Sequence, residues 1–356
     1  MKKNMKTNMK KKNITRCLSI GLMAALLGLT TACGGTGGSS SDGGNAGSGE
    51  TGEESYVLKW ASIGTNPTSV DAVSIGVYKG FFAEAGIEFE DVGEVAIPQF
   101  VPALLSGGVT GATLMTSNGI AAIDSGGEII EVAVNSYTTK ELPHMVFVTA
   151  ENSPVKNGKD LEGKRVGVPA IDGCTAGFPI EYAAQAGVED PNAAIQFVVM
   201  PDTSLIESLR KGDIDVAGLH LPPAVVEKLY PDTEILFTDY DILDNRGGDI
   251  SYYFPKSYIE ENEEAVRRFI GAIAKTNNWI NENTEEAVRI YREEINPNAN
   301  ADLLYAAHFA EDALIEESHT DLWIDILSAG GSIQPLENEW TFEQVATNEY
   351  NPNYVK

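Results

Sequence analysis

Gly173, Cys174 and Thr175 stand in a turn-rich stretch, Pro169 to Gly177. It lies between the short apolar run Arg165 to Val168 and a segment in which Phe178, Tyr182 and Ala186 recur every four residues. That order reads as a strand, a loop and the start of a helix. The first backbone N–H groups of such a helix have no partner within it and carry the positive end of its dipole. Gly173 and Gly177 let the backbone approach a ligand, and the Thr175 hydroxyl adds a donor, so the loop can cradle a small polar or anionic group. The plainer alternative is that Thr175 only caps its helix. Pro179 suits the first helical turn. Cys174 sits where a thiol pKa falls, as a nucleophile requires, but no spacing puts a base beside it. A small thiol packed in the loop is the simpler reading, and no catalysis is expected.

The four histidines, His144, His220, His308 and His319, show no H-E-x-x-H or other ligand spacing, so neither a metal nor a cofactor is expected. His220, ahead of Leu221-Pro222-Pro223, can hydrogen-bond a ligand when neutral and pair with an anion when charged, or serve as a structural histidine at a strand end. Arg246, within Asn245-Arg246-Gly247-Gly248-Asp249, offers the planar fork that holds a sulfonate or carboxylate, unless the many acids around it hold it in a surface salt bridge.

The length of the chain, 356 residues, suggests two domains. Seven basic residues before position 17 precede the 15-residue apolar run Leu18 to Ala32, a secretory signal too short to span a bilayer. Leu29-Thr30-Thr31-Ala32-Cys33 resembles the lipobox of bacterial lipoproteins, which implies lipidation of Cys33; two acyl chains suffice for stable anchoring. Gly34 to Ser55 is a Gly/Ser-rich tether with a reach of about 26 Å. Removing the seven leader cations from the 25 basic residues leaves 18 against 52 acidic ones, a net of −34. Such a surface repels nucleic acid and anionic lipid. With Cys17 in the signal and Cys33 lipidated, Cys174 is left without a disulfide partner or a second thiol for zinc.

Beyond the tether, apolar runs alternate with helical periodicity. Strands are expected at Tyr56 to Ile63, Ile87 to Val92, Ala112 to Met115 and Ile129 to Val134. Between them come helices: one capped by Ser69, then Ala96 to Leu105 and Ser117 to Ser125. After His144 to Thr149 the order begins again, with strands at Arg165 to Val168, Ile195 to Met200, Ile214 to Gly218 and Ile235 to Phe237. Each run implies parallel βαβ units. Two such lobes in tandem set two topological switch points face to face, able to enclose a ligand. From Ser257 onward helices dominate, at Glu263 to Asn281, Thr284 to Glu294, Ala301 to Ala310 and His319 to Ala329.

The opening LKWASIGTNPTSVDAVSIGVYKGFFAEAGIEFE is similar to that of solute-binding proteins of nitrate, sulfonate and taurine importers. Lys79-Gly80-Phe81-Phe82, Ala85-Gly86-Ile87, Ser153-Pro154, Asp160 to Val168, Leu209 to Val216 and Pro255 to Phe269 continue the match over roughly residues 56 to 295. The resemblance implies a periplasmic-binding-protein type II fold: two Rossmann-like α/β lobes joined by two crossing strands, with C-terminal helices. His144 to Ala150 and Asp249 to Pro255 fall where the crossings would be. The expected division is signal peptide 1–32, lipidated Cys and linker 33–55, lobe I 56–149 plus 250–356, and lobe II 150–249.

Carried over residue by residue, the resemblance implies ligand contacts at Thr65, Asn66, Ile97, Ser117, Asn118 and Tyr137 of the first lobe. From the second lobe come Gly173, Cys174, Thr175 and His220. Asp172 departs from the family's Ser/Thr-rich loop, and its carboxylate would repel an anion. The implied protein is a monomeric, extracytoplasmic, lipid-anchored substrate-binding protein. It would pass a small organic solute, sulfonate-, taurine- or nitrate-like or related, to an ABC permease. The family also contains thiamine-pyrimidine synthases, whose cysteine-rich iron motif is missing here. A membrane-tethered sensor domain would have the same sequence character.

Overall fold

β1 (Tyr56–Trp60) turns Val57 and Lys59 outward and buries Leu58 and Trp60, the period of a half-buried strand. In this computed structural model it pairs in parallel with β2 (Ile87–Asp91). The intervening helix, Ala72–Tyr78, is capped by Asp71, whose carboxylate accepts from Ser74 N at 2.8 Å. Ser69, the cap expected from the sequence, bridges to Tyr305 instead. Gly80 ends that helix at φ 78°, a conformation open to glycine, and one further turn, Phe81–Glu84, follows. The structure describes residues 55–61, 68–95, 99–171, 173–329 and 335–355. These fall in one compact unit, Gly52–Lys356. The expected signal peptide, Cys33 and nearly all of the tether, with Thr65, Asn66, Ile97 and Asp172, lie outside the described residues.

The remaining strands are β3 (Ala112–Met115), β4 (Ile129–Tyr137), β5 (Val146–Ala150), β6 (Arg165–Val168), β7 (Gln196–Val199), β8 (Val216–Leu219), β9 (Thr233–Thr238), β10 (Ile250–Pro255) and β11 (His308–Phe309). β3, β10, β4 and β11 form one sheet in that order. β1 adjoins it through Thr110 N, which donates to Lys59 O at 2.8 Å. The second sheet runs β7-β6-β8-β5-β9. Each lobe therefore repeats one scheme: second strand, first, third, an antiparallel insertion, fourth. β10 is the insertion in the first lobe and β5 in the second, each antiparallel to both neighbours.

The two expected crossing segments are thus strands, but each belongs wholly to one sheet. The chain passes between lobes at residues 138–145 and 239–249. Alternation in a sequence marks a strand without saying which sheet receives it. Asp239 ties the passages together: its carboxylate accepts from the Thr138 hydroxyl and, at 2.9 Å, from Met145 N. His144 N donates to Thr138 Oγ1 at 3.1 Å. Gly248 packs so closely here that a Cβ would stand 2.0 Å from Thr138 Oγ1.

The C-terminal third covers the first lobe. Lys256–Glu282 is one long helix, non-helical at Asn262, that buries Val266, Phe269, Ile270 and Ile273. The expected helix Ala301 to Ala310 does not form; turns lead into β11. Asn281 explains the difference. Its side chain donates to Phe309 O at 2.7 Å and accepts from Phe309 N at 3.1 Å, taking the groups a helix would have used. The helix Glu317–Ser328 then lies against the second passage and touches both lobes. Trp323 Nε1 donates to Gly247 O at 3.2 Å, and its ring meets Phe178 at 5.9 Å. One buried apolar cluster therefore runs from Ile120 and Tyr253 of the first lobe through Trp323 to Phe178 and Cys174 of the second.

Candidate functional site

The loop after β6 is closed by Thr175, whose buried hydroxyl donates to Ala170 O at 2.6 Å. The donor expected to meet a ligand thus holds the loop's own backbone. That fold presents Gly173 N across the gap between the lobes, where it donates to Asn118 Oδ1 at 3.0 Å. Asn118 and Ser117 open the helix Thr116–Asp124, directly after β3. Ser117 Oγ is buried, has no hydrogen-bond partner, and would lie 2.1 Å from a Cβ at position 173. Two strand-to-helix loops, one from each lobe, therefore meet, and they carry Ser117, Asn118 and Gly173.

His220 follows β8 directly. Its Nε2 is 3.7 Å from Cys174 Sγ, and its ring stands edge-on to His144 at 5.0 Å. The donor atoms of His144, Cys174 and His220 all lie within 4.8 Å of one another. Burial, reinforced by His220, pushes the His144 imidazole down to about 3, so it is neutral over the physiological range. The sequence offered no base beside Cys174, and the fold supplies one. His144 was missed as a site residue because intervals of 30 and 46 positions match no ligand motif.

A second group gathers at the end of β4. Tyr137 Oη and His308 Nε2 are 2.9 Å apart. His319 Nδ1 lies 2.8 Å from Asp249 Oδ2, both side chains being buried, while Asp249 Oδ1 has no partner. Burial raises the Asp249 carboxyl, and His319 opposes that rise; His319 itself is raised by Asp249 against its own burial. Nothing in the spacing announces this group, since β11 and the helix Glu317–Ser328 return to β4 only in three dimensions. Arg246 pairs instead with Asp244, through Nε at 2.8 Å and Nη2 at 3.0 Å. To meet an anionic ligand it would have to exchange that partner.

Behind the site, Glu131 of β4 is buried and accepts from Tyr253 Oη at 2.9 Å. Burial, with the Asp249 charge adding, pushes its carboxyl up to about 7. The native pKa exceeds the unfolded one, so this contribution to stability is full below about pH 4.5 and lost as pH rises through about 7. Glu131→Gln should stabilise the protein by about 2–3 kcal/mol near pH 8 and much less near pH 5. Denaturant melts at the two pH values check it; an equal effect at both would show that Glu131 does not titrate in this window.

Residues 68–287 match the family model described as NMT1/THI5 like. A provisionally named binding protein of Brucella abortus is 25% identical over 137 residues, 38% of this chain and 42% of that protein. The chain thus spans less than half the length of the curated relatives it matches. Among solved structures, the alkanesulfonate-binding protein SsuA of Xanthomonas axonopodis pv. citri, bound to MOPS, has a TM-score of 0.62 at 11% identity, covering 83% of this chain and 99% of that one. The periplasmic nitrate-binding protein NrtA of Synechocystis has a TM-score of 0.59 at 14% identity, covering 83% and 87%. Identities this low speak for the fold alone. The matched span takes in most of both lobes, and their doubled sheet order is that of the periplasmic-binding-protein fold; the chain belongs to the NMT1/THI5-like family.

Proposed function

We propose that this protein is the extracytoplasmic substrate-binding component of an ABC importer, held to the membrane through a lipid on Cys33. It would capture a small organic solute between its lobes and present the closed form to a permease. The observation that carries this reading is the meeting of Gly173 with Asn118, which joins a strand-to-helix loop of one lobe to one of the other, in a chain whose lobes are linked by two passages. Closure of that kind converts occupancy into a shape. Ser117, Asn118, His144, Gly173, Cys174 and His220 converge there, and none of them is Lys or Arg. Their hydroxyl, amide, thiol and imidazole groups suit a solute with several hydrogen-bonding atoms, sulfonate- or taurine-like or related. Among the described residues no helix is long and apolar enough to cross a membrane.

A thermal-shift screen of sulfonates, taurine, nitrate, aromatic acids and pyrimidines tests the proposal. A ligand at a hundred times its Kd should stabilise the protein by about 2.7 kcal/mol. Asn118→Ala should weaken that ligand about tenfold, by loss of one interlobe hydrogen bond, with the unliganded melt nearly unchanged. Undiminished affinity would remove this contact from capture.

One observation favours a second reading. Cys174 beside His220 is the arrangement of a nucleophile and its base, as an enzyme on this scaffold would need. Mass spectrometry of the solute after incubation separates the two, since a binding protein returns it unaltered.

A further inference from the structure

His144, Cys174 and His220 come from three elements that the second sheet makes neighbours. β6, β8 and β5 lie side by side, and β5 runs antiparallel to β8. The start of β5 therefore shares an edge with the ends of β6 and β8. His144 precedes β5 by two residues, Cys174 sits in the loop after β6, and His220 follows β8 by one. Each is held by its own local bonds. His144 N donates to Thr138 Oγ1, the Thr175 hydroxyl closes the loop bearing Cys174, and Val146 pairs with Leu219 beside His220.

We infer that this edge is a binding site for a divalent transition metal ion of the zinc and cobalt class, with His144, Cys174 and His220 as its three protein ligands. Two imidazoles and a thiolate are the donor set such ions prefer, whereas calcium and magnesium require oxygen. Metal–nitrogen bonds of about 2.0 Å and a metal–sulfur bond of about 2.3 Å, set tetrahedrally, place nitrogen and sulfur about 3.5 Å apart. Cys174 Sγ and His220 Nε2 are already 3.7 Å apart, and all three donors lie within 4.8 Å of one another. A shift of at most about 1.5 Å in the widest pair completes the arrangement.

Binding exchanges the thiol proton for the ion: Sγ–H breaks, Sγ–metal forms, and one proton leaves to solvent. Three protein ligands leave the fourth position open, as in sites where a metal holds a small molecule. Ser117 Oγ, buried without a partner, stands against Gly173, next to Cys174, as a polar atom for the group in that position. That the fourth ligand is the transported solute rests on the function proposed above; binding of the ion does not.

The test is titration of the full chain, freed of metal with EDTA, with cobalt(II) alone. The expected result is one ion per chain, with a thiolate-to-cobalt charge-transfer band in the near ultraviolet, d–d bands of tetrahedral intensity, and displacement by zinc. Cys174→Ser should abolish the charge-transfer band, and His144→Ala and His220→Ala should each weaken binding at least tenfold, with circular dichroism unchanged. If a variant misfolds, release of one proton per cobalt in the unsubstituted chain still decides the matter. Absence of the band and of proton release, or a band that survives Cys174→Ser, would overturn the site. Failure of every organic solute in the thermal-shift screen would count against the transport reading and leave the cobalt result standing.

Discussion

Gly173→Val should weaken ligand binding at least about a hundredfold, roughly 2.7 kcal/mol, while leaving the unliganded protein folded. The reason is steric. Even a Cβ at this position would come 2.1 Å from Ser117 Oγ, 2.7 Å from Asn118 Oδ1 and 3.1 Å from Ser117 Cβ. Rotation can move the two oxygens, but Ser117 Cβ is fixed to its backbone. Relief therefore requires the two loops to separate. They belong to different lobes, so the open form accommodates the branched side chain and the closed form does not. Isothermal titration with whichever solute the screen identifies measures the loss. Small-angle scattering adds a readout without ligand, a larger radius of gyration than the parent. Parent-like affinity together with parent-like dimensions would show that capture does not bring these loops together.

Phe269→Ala should be the most damaging single truncation in the first lobe, costing about 3–5 kcal/mol. The side chain is completely buried. It lies at the centre of a group of rings, 5.3 Å from Trp60, 5.6 Å from Phe82, 5.2 Å from Tyr252 and 5.3 Å from Phe254. Those rings come from β1, the turn Phe81–Glu84 and β10, and Phe269 brings the long C-terminal helix onto all three. Truncation removes Phe269's edge-to-face contacts with Tyr252 and Phe254 and leaves a void lined by rings already held against one another, Trp60 with Tyr252 and with Phe254. The melting temperature should fall by roughly 8–15 °C. Well below that temperature, solute affinity should stay within about twofold, because no site residue contacts the ring. A cost under about 1 kcal/mol would mean that the helix docks elsewhere.

Much of the scaffold was legible in the sequence because its causes are local. Arg165–Val168 and Ala112–Met115 formed with the expected bounds, since short apolar runs between turns have little alternative to a buried strand. The helix expected at Glu263 to Asn281 also formed, because its apolar spacing persists for turn after turn, although it begins earlier, at Lys256, and runs to Glu282. Errors arose where distant groups outbid local preference. Asp71 took the cap expected of Ser69, and Asn281 drew the segment expected as the helix Ala301 to Ala310 into a two-residue strand beside β4.

The candidate site divides the same way. Turn chemistry in the sequence, together with the family resemblance, marked Ser117, Asn118, Gly173, Cys174 and His220, residues that ride on strand-to-helix loops. It could not show that Thr175 spends its hydroxyl on Ala170 or that Arg246 is engaged by Asp244. The partners His144, His308 and His319 were equally out of reach.

What the sequence by itself determined is therefore the alternation of strands and helices, the two-lobed plan and the loops that face each other, because period and turn residues are properties of neighbours along the chain. The tertiary structure alone decided which sheet each crossing strand joins, that three side chains 30 and 46 positions apart share one edge, and that Gly173 meets Ser117 and Asn118 of the other lobe. The shared edge depends on the antiparallel insertion of β5 beside β8, and the Gly173 contact on the packing of one lobe's loop against the other's, so that ends no sequence interval relates come together.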